Sequence, residues 1–221
     1  MKPARAVLFD LDGTLIGTRA LYLEAYRTAI RPYICRDLSD GDIMALRPTS
    51  ELGFLRAVVP GITLEACVRD FHAAYAALHA ELFEGPYDGI LELLDEIRAA
   101  GLATGIVTGK SRRSWETTSA LCRLGPFQVL VFDDDVRAPK PDPHGLELAI
   151  DRLGLEAADC VYIGDTVTDV RAARAAGLRP VAALWARSPD QREGYAARAA
   201  AEGAEVVETP GDLRPVLGLD R

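Results

Sequence analysis

Two aspartates one residue apart close the first apolar run of this sequence. Ala6, Val7, Leu8 and Phe9 read as a buried strand; Asp10 ends it, Leu11 follows, and Asp12, Gly13 and Thr14 lead away. Alternate side chains of an extended chain point the same way. Asp10 and Asp12 can therefore face one pocket while Leu11 packs behind them, Gly13 permits a bend and Thr14 ties the turn down. Neighbouring carboxylates raise each other's cost of ionisation, so their roles divide into nucleophile and general acid–base. The plain alternative is a strand end followed by an Asp-Gly turn.

Three further clusters carry chemistry. In "GDTVTDV", Asp165 ends a strand and Asp169 follows four residues on, near the first turn of a helix, where both can face one side. Acidic residues there also serve as caps favoured by the macrodipole; joined to Asp10 they make a set of hard oxygen ligands of the kind Mg²⁺ takes. In "IVTGKS", Thr108, Gly109 and Lys110 end a strand and open a helix. A hydroxyl beside free backbone N–H groups is a phosphate cradle, although such a residue is also an ordinary cap. In "APKPDP", Lys140 stands between prolines. Of 25 basic residues only Lys2, Lys110 and Lys140 are lysines, so a lysine kept here suggests a need for a compact ammonium instead of a broad fork; a solvated loop lysine is the bland reading. Lys110, Arg112 and Arg113 also form a short basic run, and such runs usually mark an exposed helix face.

These residues need elements to hold them. Residues 18 to 83 read as helical throughout: "TRALYLEAYRTAI", "TSELGFLRAVV" with Thr49 or Ser50 as cap and Pro60-Gly61 as stop, and "TLEACVRDFHAAYAALHAELF" from Thr63. From residue 85 helix and strand alternate. "GILELLDEIRAAG" is an amphipathic helix closed by Gly101, where a left-handed residue is wanted. Strands follow at "LATGIVTG", "QVLVFDDD", "CVYIGD", "PVAALW" and "EVVE". Between them lie helices at "SRRSWETTSALCRLG", "PHGLELAIDRLG", "TDVRAARAAG" and 190–202, with a closing segment near "GDLRPVL". Near-continuous apolar strands separated by helices imply a doubly wound parallel α/β sheet covered on both faces. The first strand belongs to it, so the helical block is an insertion. The expected division is a core of 1–15 and 85–221 with an all-helical cap of 16–84. Ligands of such sheets bind beyond the carboxyl ends of the strands, where all four clusters fall.

The totals set bounds. A chain of 221 residues with 49% apolar residues supports a sizeable core, and a formal charge of −8 argues against a nucleic-acid partner, whose phosphates need clustered Lys and Arg. An acidic chain with an anionic substrate must gather positive charge locally. The cysteines Cys35, Cys67, Cys122 and Cys160 show no metal spacing and fit a reducing compartment. "MKPARAVLFD" has no apolar signal stretch, and no apolar run approaches the ~20 residues of a spanning helix. The expectation is a soluble cytoplasmic protein, monomer or homodimer, with no membrane partner.

"DLDGT", "VTG", "KPDP" and "GDTVTD", in that order around a helical insertion, resemble the haloacid-dehalogenase-type phosphohydrolases over the whole chain, and more narrowly the phosphoglycolate-phosphatase-like members with a helical cap. The resemblance implies a small-molecule phosphate ester as substrate and Mg²⁺ as cofactor. It makes Asp10 the nucleophile that forms an aspartyl-phosphate and Asp12 the general acid–base. Thr108 would hydrogen-bond the transferring group and Lys140 offset charge. The metal would be held by Asp10, the main-chain carbonyl of Asp12 and Asp165, with Asp169 supporting. Gly109 and Lys110 would line the substrate side. The cap would close over the site, and Arg47 in "ALRPTSE" is its candidate substrate contact, a solvated arginine being the other reading. His72 and His79, seven apart on one helical face, read as surface or cap-core residues. Trp115 and Trp185 receive no role. "IGTR" stands where many relatives carry an acidic residue and a serine, which leaves the substrate unspecified, and Asp12 favours phosphate over carbon–halogen chemistry. The same aspartates would serve a phosphosugar mutase; a non-catalytic module, phosphorylated on Asp10 as a signal or retained for protein binding, is the reading of another class.

Overall fold

A computed structural model of the chain describes residues 4–46 and 49–219. Its strands are β1 (Ala6–Phe9), β2 (Ile16–Gly17), β3 (Gly85–Pro86), β4 (Ala103–Val107), β5 (Val129–Val131), β6 (Cys160–Gly164), β7 (Arg179–Ala183) and β8 (Glu205–Val207). The inserted block contributes helices α1 (Arg19–Ile34), α2 (Asp40–Ala45), α3 (Glu51–Val58) and α4 (Leu64–Leu82). The remainder carries α5 (Ile90–Ala99), α6 (Arg112–Leu121), α7 (His144–Leu153), α8 (Val167–Ala175), α9 (Pro189–Ala201) and α10 (Leu213–Leu217).

Six strands pair in parallel in the order β5-β4-β1-β6-β7-β8. The two-residue alternation of β1 shows why both faces are covered. Val7 and Phe9 pack with Ile106, Ile163 and the α5 residues Ile90, Leu93 and Ile97, while Ala6 and Leu8 pack with Val131, Tyr162, Leu146 of α7 and Ala172 of α8. Each such large apolar side chain contributes roughly 1.5–3 kcal/mol on burial. The chain leaves β1 toward β4 and β5, then crosses back to β6, so the strand order reverses beside β1. That switch point is where an open sheet presents its ligand crevice.

The inserted helices have a core of their own. Leu21, Tyr26, Ile30, Phe54, Leu55, Phe71 and Tyr75 are buried together, with the Tyr26 ring 4.3 Å from Phe54 and 4.9 Å from Phe71 between centroids. None of the described helices is long and apolar enough to cross a membrane.

The chain departs from the sequence expectations in places, each for a local reason. β2 and β3 pair antiparallel where the chain enters and leaves the helical block; two residues per strand are too few to show a period. α1 runs through Pro32 to Ile34, because a proline in the last turn removes only one bond before Cys35 turns left-handed. α2 is an additional helix, held by a reciprocal cap between Ser39 and Asp42. Ser50, not Thr49, caps α3. α6 stops at Leu121, short of Gly125. β5 ends before the three aspartates, which form a 3₁₀ turn at Asp133–Asp135. Gly101 follows α5 with φ +75°, as its position required.

Candidate active site

The carboxyl ends of β1, β4 and β6 and the first turns of α3 and α8 surround a cavity of about 180 Å³. Asp10, Asp12, Thr108, Gly109, Lys110, Lys140, Asp165 and Asp169 all line it. Arg47 lies outside the described residues. Residues up to 159 positions apart in the sequence, Asp10 and Asp169 among them, thus meet at one rim of the sheet.

Asp10 is 7% exposed, and its Oδ1 accepts a hydrogen bond from Lys140 Nζ at 2.8 Å. The same ammonium donates to Asp169 Oδ1 at 2.5 Å and to the Tyr162 hydroxyl at 2.8 Å. Burial works against charge on Lys140, but Asp10, Asp169 and Tyr162 outweigh it and hold the ammonium well above the usual lysine range. Here is the local positive charge that an acidic chain with an anionic substrate requires. Asp169 spends its second oxygen on the backbone N–H of Thr166 at 2.9 Å and on the Thr166 hydroxyl. Asp169 thus anchors Lys140 and caps α8 at once.

Oxygens of Asp10, Asp165 and Asp169 lie within 4.8 Å of one another. Crowding and burial make this costly. Burial, with Lys140 opposing and Asp169 and Asp12 adding, pushes the Asp10 carboxyl up to about 6. Burial, then Asp169 and Asp10, push Asp165 up to about 8 against the pull of Arg187 and Lys140. Three hard carboxylates that repel one another at ligand spacing fit a small divalent cation. Gly13, at φ +79°, passes so close that a Cβ there would sit 2.7 Å from Asp165 Oδ2. Arg187 donates to the Asp165 carbonyl and lies 3.4 Å from its Oδ2.

Asp12 opens on the same cavity. Its Oδ1 accepts from the Thr18 hydroxyl at 2.5 Å, and its Oδ2 lies 3.1 Å from Lys110 Nζ. The turn after it is tied by main-chain bonds from Leu15 and Ile16 to the Leu11 carbonyl and by Trp185 Nε1, which donates to the Thr14 carbonyl at 2.8 Å. The Thr14 hydroxyl has no partner among the described residues; Thr14 holds the turn through its main chain instead, its N–H donating to the Leu11 carbonyl at 3.3 Å. Leu11 is fully buried behind the two aspartates.

Thr108 is 6% exposed and accepts the Lys110 N–H at 3.2 Å. Gly109 is shaped by the helical block: its carbonyl accepts the Glu51 N–H at 2.8 Å, and a Cβ on it would lie 2.3 Å from the Thr49 carbonyl oxygen. The basic run after it does not share one face. Lys110 is 1% exposed and pairs with Asp12 and Glu51; Arg112 pairs with Asp135, and Arg113 is exposed.

Glu51, Thr18 and Tyr162 carry no local signal that marks them out, while Asp133 belongs to a triple aspartate at a strand end whose partners no local pattern shows. Glu51 reads locally as an acidic residue in a first helical turn; its partners are Lys110, Ser111 and Ser114. Asp133 accepts the Leu52 N–H at 2.9 Å and Asp134 the Arg112 N–H at 2.6 Å. The triple aspartate thus caps helices on both sides of the cleft. His72 and His79 fall at that seam, bonded to Ser111 Oγ at 3.0 Å and Thr118 Oγ1 at 3.1 Å.

Known proteins resemble this chain in sequence and fold. The pattern of the haloacid dehalogenase-like hydrolases matches residues 7–183. A pyrophosphatase PpaX of Bacillus velezensis is 32% identical, covering 99% of this chain and 98% of its own. A phosphoglycolate phosphatase of Xylella fastidiosa is 34% identical over 82% of this chain and 80% of its own. The fold matches the crystal structure of CbbY from Rhodobacter sphaeroides in complex with phosphate, with a TM-score of 0.80, 22% identity, and 95% and 96% of the two chains covered. With four motifs gathered at one sheet edge and relatives aligned along most of its length, the chain belongs to the haloacid dehalogenase-like hydrolase family.

Proposed function

We propose that this protein hydrolyses small-molecule phosphomonoesters, with Mg²⁺ as cofactor and Asp10 as the phosphoryl acceptor. The observation that carries this reading is the buried junction of Asp10, Asp165 and Asp169, whose oxygens lie within 4.8 Å, with Lys140 on Asp10 and Asp12 facing the same cavity. Asp10 attacks phosphorus while the bond to the leaving oxygen breaks, and Asp12 gives that oxygen its proton. Water then attacks the phosphorus of the aspartyl-phosphate, Asp12 takes up the water's proton, and the Asp10 carboxylate is restored. Thr108 hydrogen-bonds the transferring group. An anionic nucleophile meeting an anionic phosphate is repelled, so Lys140 must stay charged beside it. Asp10, Asp165 and the Asp12 carbonyl would hold the metal, with Asp169 fixing Lys140 against them. Bound Mg²⁺ supplies further positive charge against the phosphoryl oxygens. The helical block would exclude water from the site.

Relatives named for phosphoglycolate and pyrophosphate put both compounds in the test panel, with sugar phosphates, nucleotides and pyridoxal phosphate. Mg²⁺-dependent release of free phosphate over many turnovers is the expected result, and Asp10→Asn abolishes it while leaving the fold intact. Isomerised sugar phosphate without release would replace hydrolysis by a mutase reaction. A single turnover with no recovery would point to a phospho-aspartate module instead.

A further inference from the structure

Glu51 belongs to the helical block, yet its carboxylate is buried in the other domain's machinery. Its side chain is 6% exposed and lies 3.2 Å from Lys110 Nζ through Oε1. Oε2 accepts from the Ser111 N–H at 2.9 Å, the Ser111 hydroxyl at 2.7 Å and the Ser114 hydroxyl at 2.8 Å. One oxygen thus closes the N-terminus of α6, and the other fixes an ammonium. Lys110, with no exposed side-chain surface, reaches from Glu51 to Asp12 Oδ2 at 3.1 Å, and Tyr75 of α4 lies under it with its ring centre 4.6 Å away. Thr18 holds the other Asp12 oxygen at 2.5 Å. Asp12 is therefore clamped by two groups, and one of them is held from across the cleft.

We propose that Glu51 is a positioning residue: from the cap it holds the Lys110 ammonium against Asp12, so that seating the cap sets the proton-carrying carboxylate in line with the leaving oxygen. The inference rests on the phosphomonoesterase reading, in which Asp12 shuttles that proton. An ammonium has three donors on a flexible stem. With Glu51 neutral, only Asp12 and the Tyr75 ring still steer Lys110, and it can swing with Asp12 or toward an incoming phosphate. Misplacing a catalytic group by about 1 Å costs on the order of 10²-fold in rate.

The test uses leaving groups that differ in their need for a proton. Glu51→Gln keeps the shape and can still bond the serines, but removes the ion pair. With phosphoglycolate, or ribose 5-phosphate if that turns over faster, kcat falls on the order of 10²-fold while KM stays within about threefold. With p-nitrophenyl phosphate, whose leaving phenolate needs little protonation, kcat/KM, which reports phosphoryl transfer to Asp10 and not the later hydrolysis in which Asp12 serves every ester alike, falls less than about fivefold. Glu51→Gln with Lys110→Met removes both charges together and shows the same split between the two esters; it supplies the readout if the single variant melts. Equal losses of kcat/KM on both esters, or a raised KM with kcat intact, would overturn the proposal and leave Glu51 a mere cap fastener. Wild-type protein that turns over no phosphomonoester of the panel would overturn the phosphomonoesterase reading itself, and this inference with it.

Discussion

The Lys140 ammonium and the Asp10 carboxylate form an ion pair at 2.8 Å with both side chains nearly out of solvent. The ammonium also contacts Asp169 at 2.5 Å and Tyr162 at 2.8 Å. Three oxygens so close around one point suit a tetrahedral ammonium better than a planar guanidinium. Lys140→Met strands two buried carboxylates and is expected to cost about 3 kcal/mol in urea unfolding. Lys140→Arg keeps the charge and more of the stability, but lowers phosphate release on the order of 10²-fold. Near wild-type turnover by the arginine variant would mean that the charge alone matters and the geometry does not.

Asp165 gives a pH signature. Its carboxyl is held up to about 8, by burial first and then by Asp169 and Asp10. A raised folded-state value means the folded state holds the proton more tightly than the unfolded chain does. The resulting stability is complete below the ordinary carboxylate value and is lost as pH rises through about 8. Asparagine mimics the protonated form at every pH. Metal-free Asp165→Asn should therefore match the parent near pH 4 and melt progressively higher than it up to pH 8 and above, while excess Mg²⁺ stabilises the parent alone. Thermal melts across that range decide it; a constant gap would remove Asp165 from the strained cluster.

Much of this site could be read before any fold was known, because its grammar is local. β1, β4 and β6 each announce themselves as an apolar run with a polar end, and Asp10, Thr108 and Asp165 stand directly at those ends. Lys140 was marked by composition, in a chain that otherwise uses arginine. Glu51 was not legible, and Asp133 only as part of an acidic strand end, since their meaning comes from partners 59 and 81 residues away. Lys110 was misleading for the same reason: its neighbours Arg112 and Arg113 suggested an exposed face, whereas the strand end turns it inward to two carboxylates. The β2–β3 ribbon carries no signal because two residues cannot establish a period.

Gly109 tests whether the helical block must seat on the β4 end. A Cβ there would meet the Thr49 carbonyl at 2.3 Å and Ser50 Cα at 3.0 Å. Those are backbone atoms, which cannot yield as a side-chain tip can. Gly109→Ala should push the start of α3 away and break the bond from the Glu51 N–H to the Gly109 carbonyl. The expected outcome is a loss on the order of 10²-fold in kcat/KM, the scale of a roughly 1 Å displacement, with little change in melting of the α/β core. Unchanged kinetics in the alanine variant would show that the contact plays no part in turnover.

The seam between α4 of the helical block and α6 also contains a buried polar junction with no slack. Thr118 Oγ1 on α6 meets the Tyr75 hydroxyl at 2.9 Å and His79 Nε2 at 3.1 Å, both from α4. All three side chains are essentially buried. His79 is held below its ordinary value by burial and then by Lys110, so its neutral ring depends on that hydroxyl for a partner. Thr118→Val keeps the volume and removes the hydroxyl, leaving two buried polar groups unmatched. The penalty is about 2 kcal/mol, or roughly 4–8 °C in Tm for a chain of this size. Thr118→Ser retains the hydroxyl and should recover most of the loss. If valine melts with the parent, water reaches the junction and the seam is looser than these distances describe; if serine fails to rescue, the methyl packing of Thr118 carries the effect instead of its hydrogen bonds.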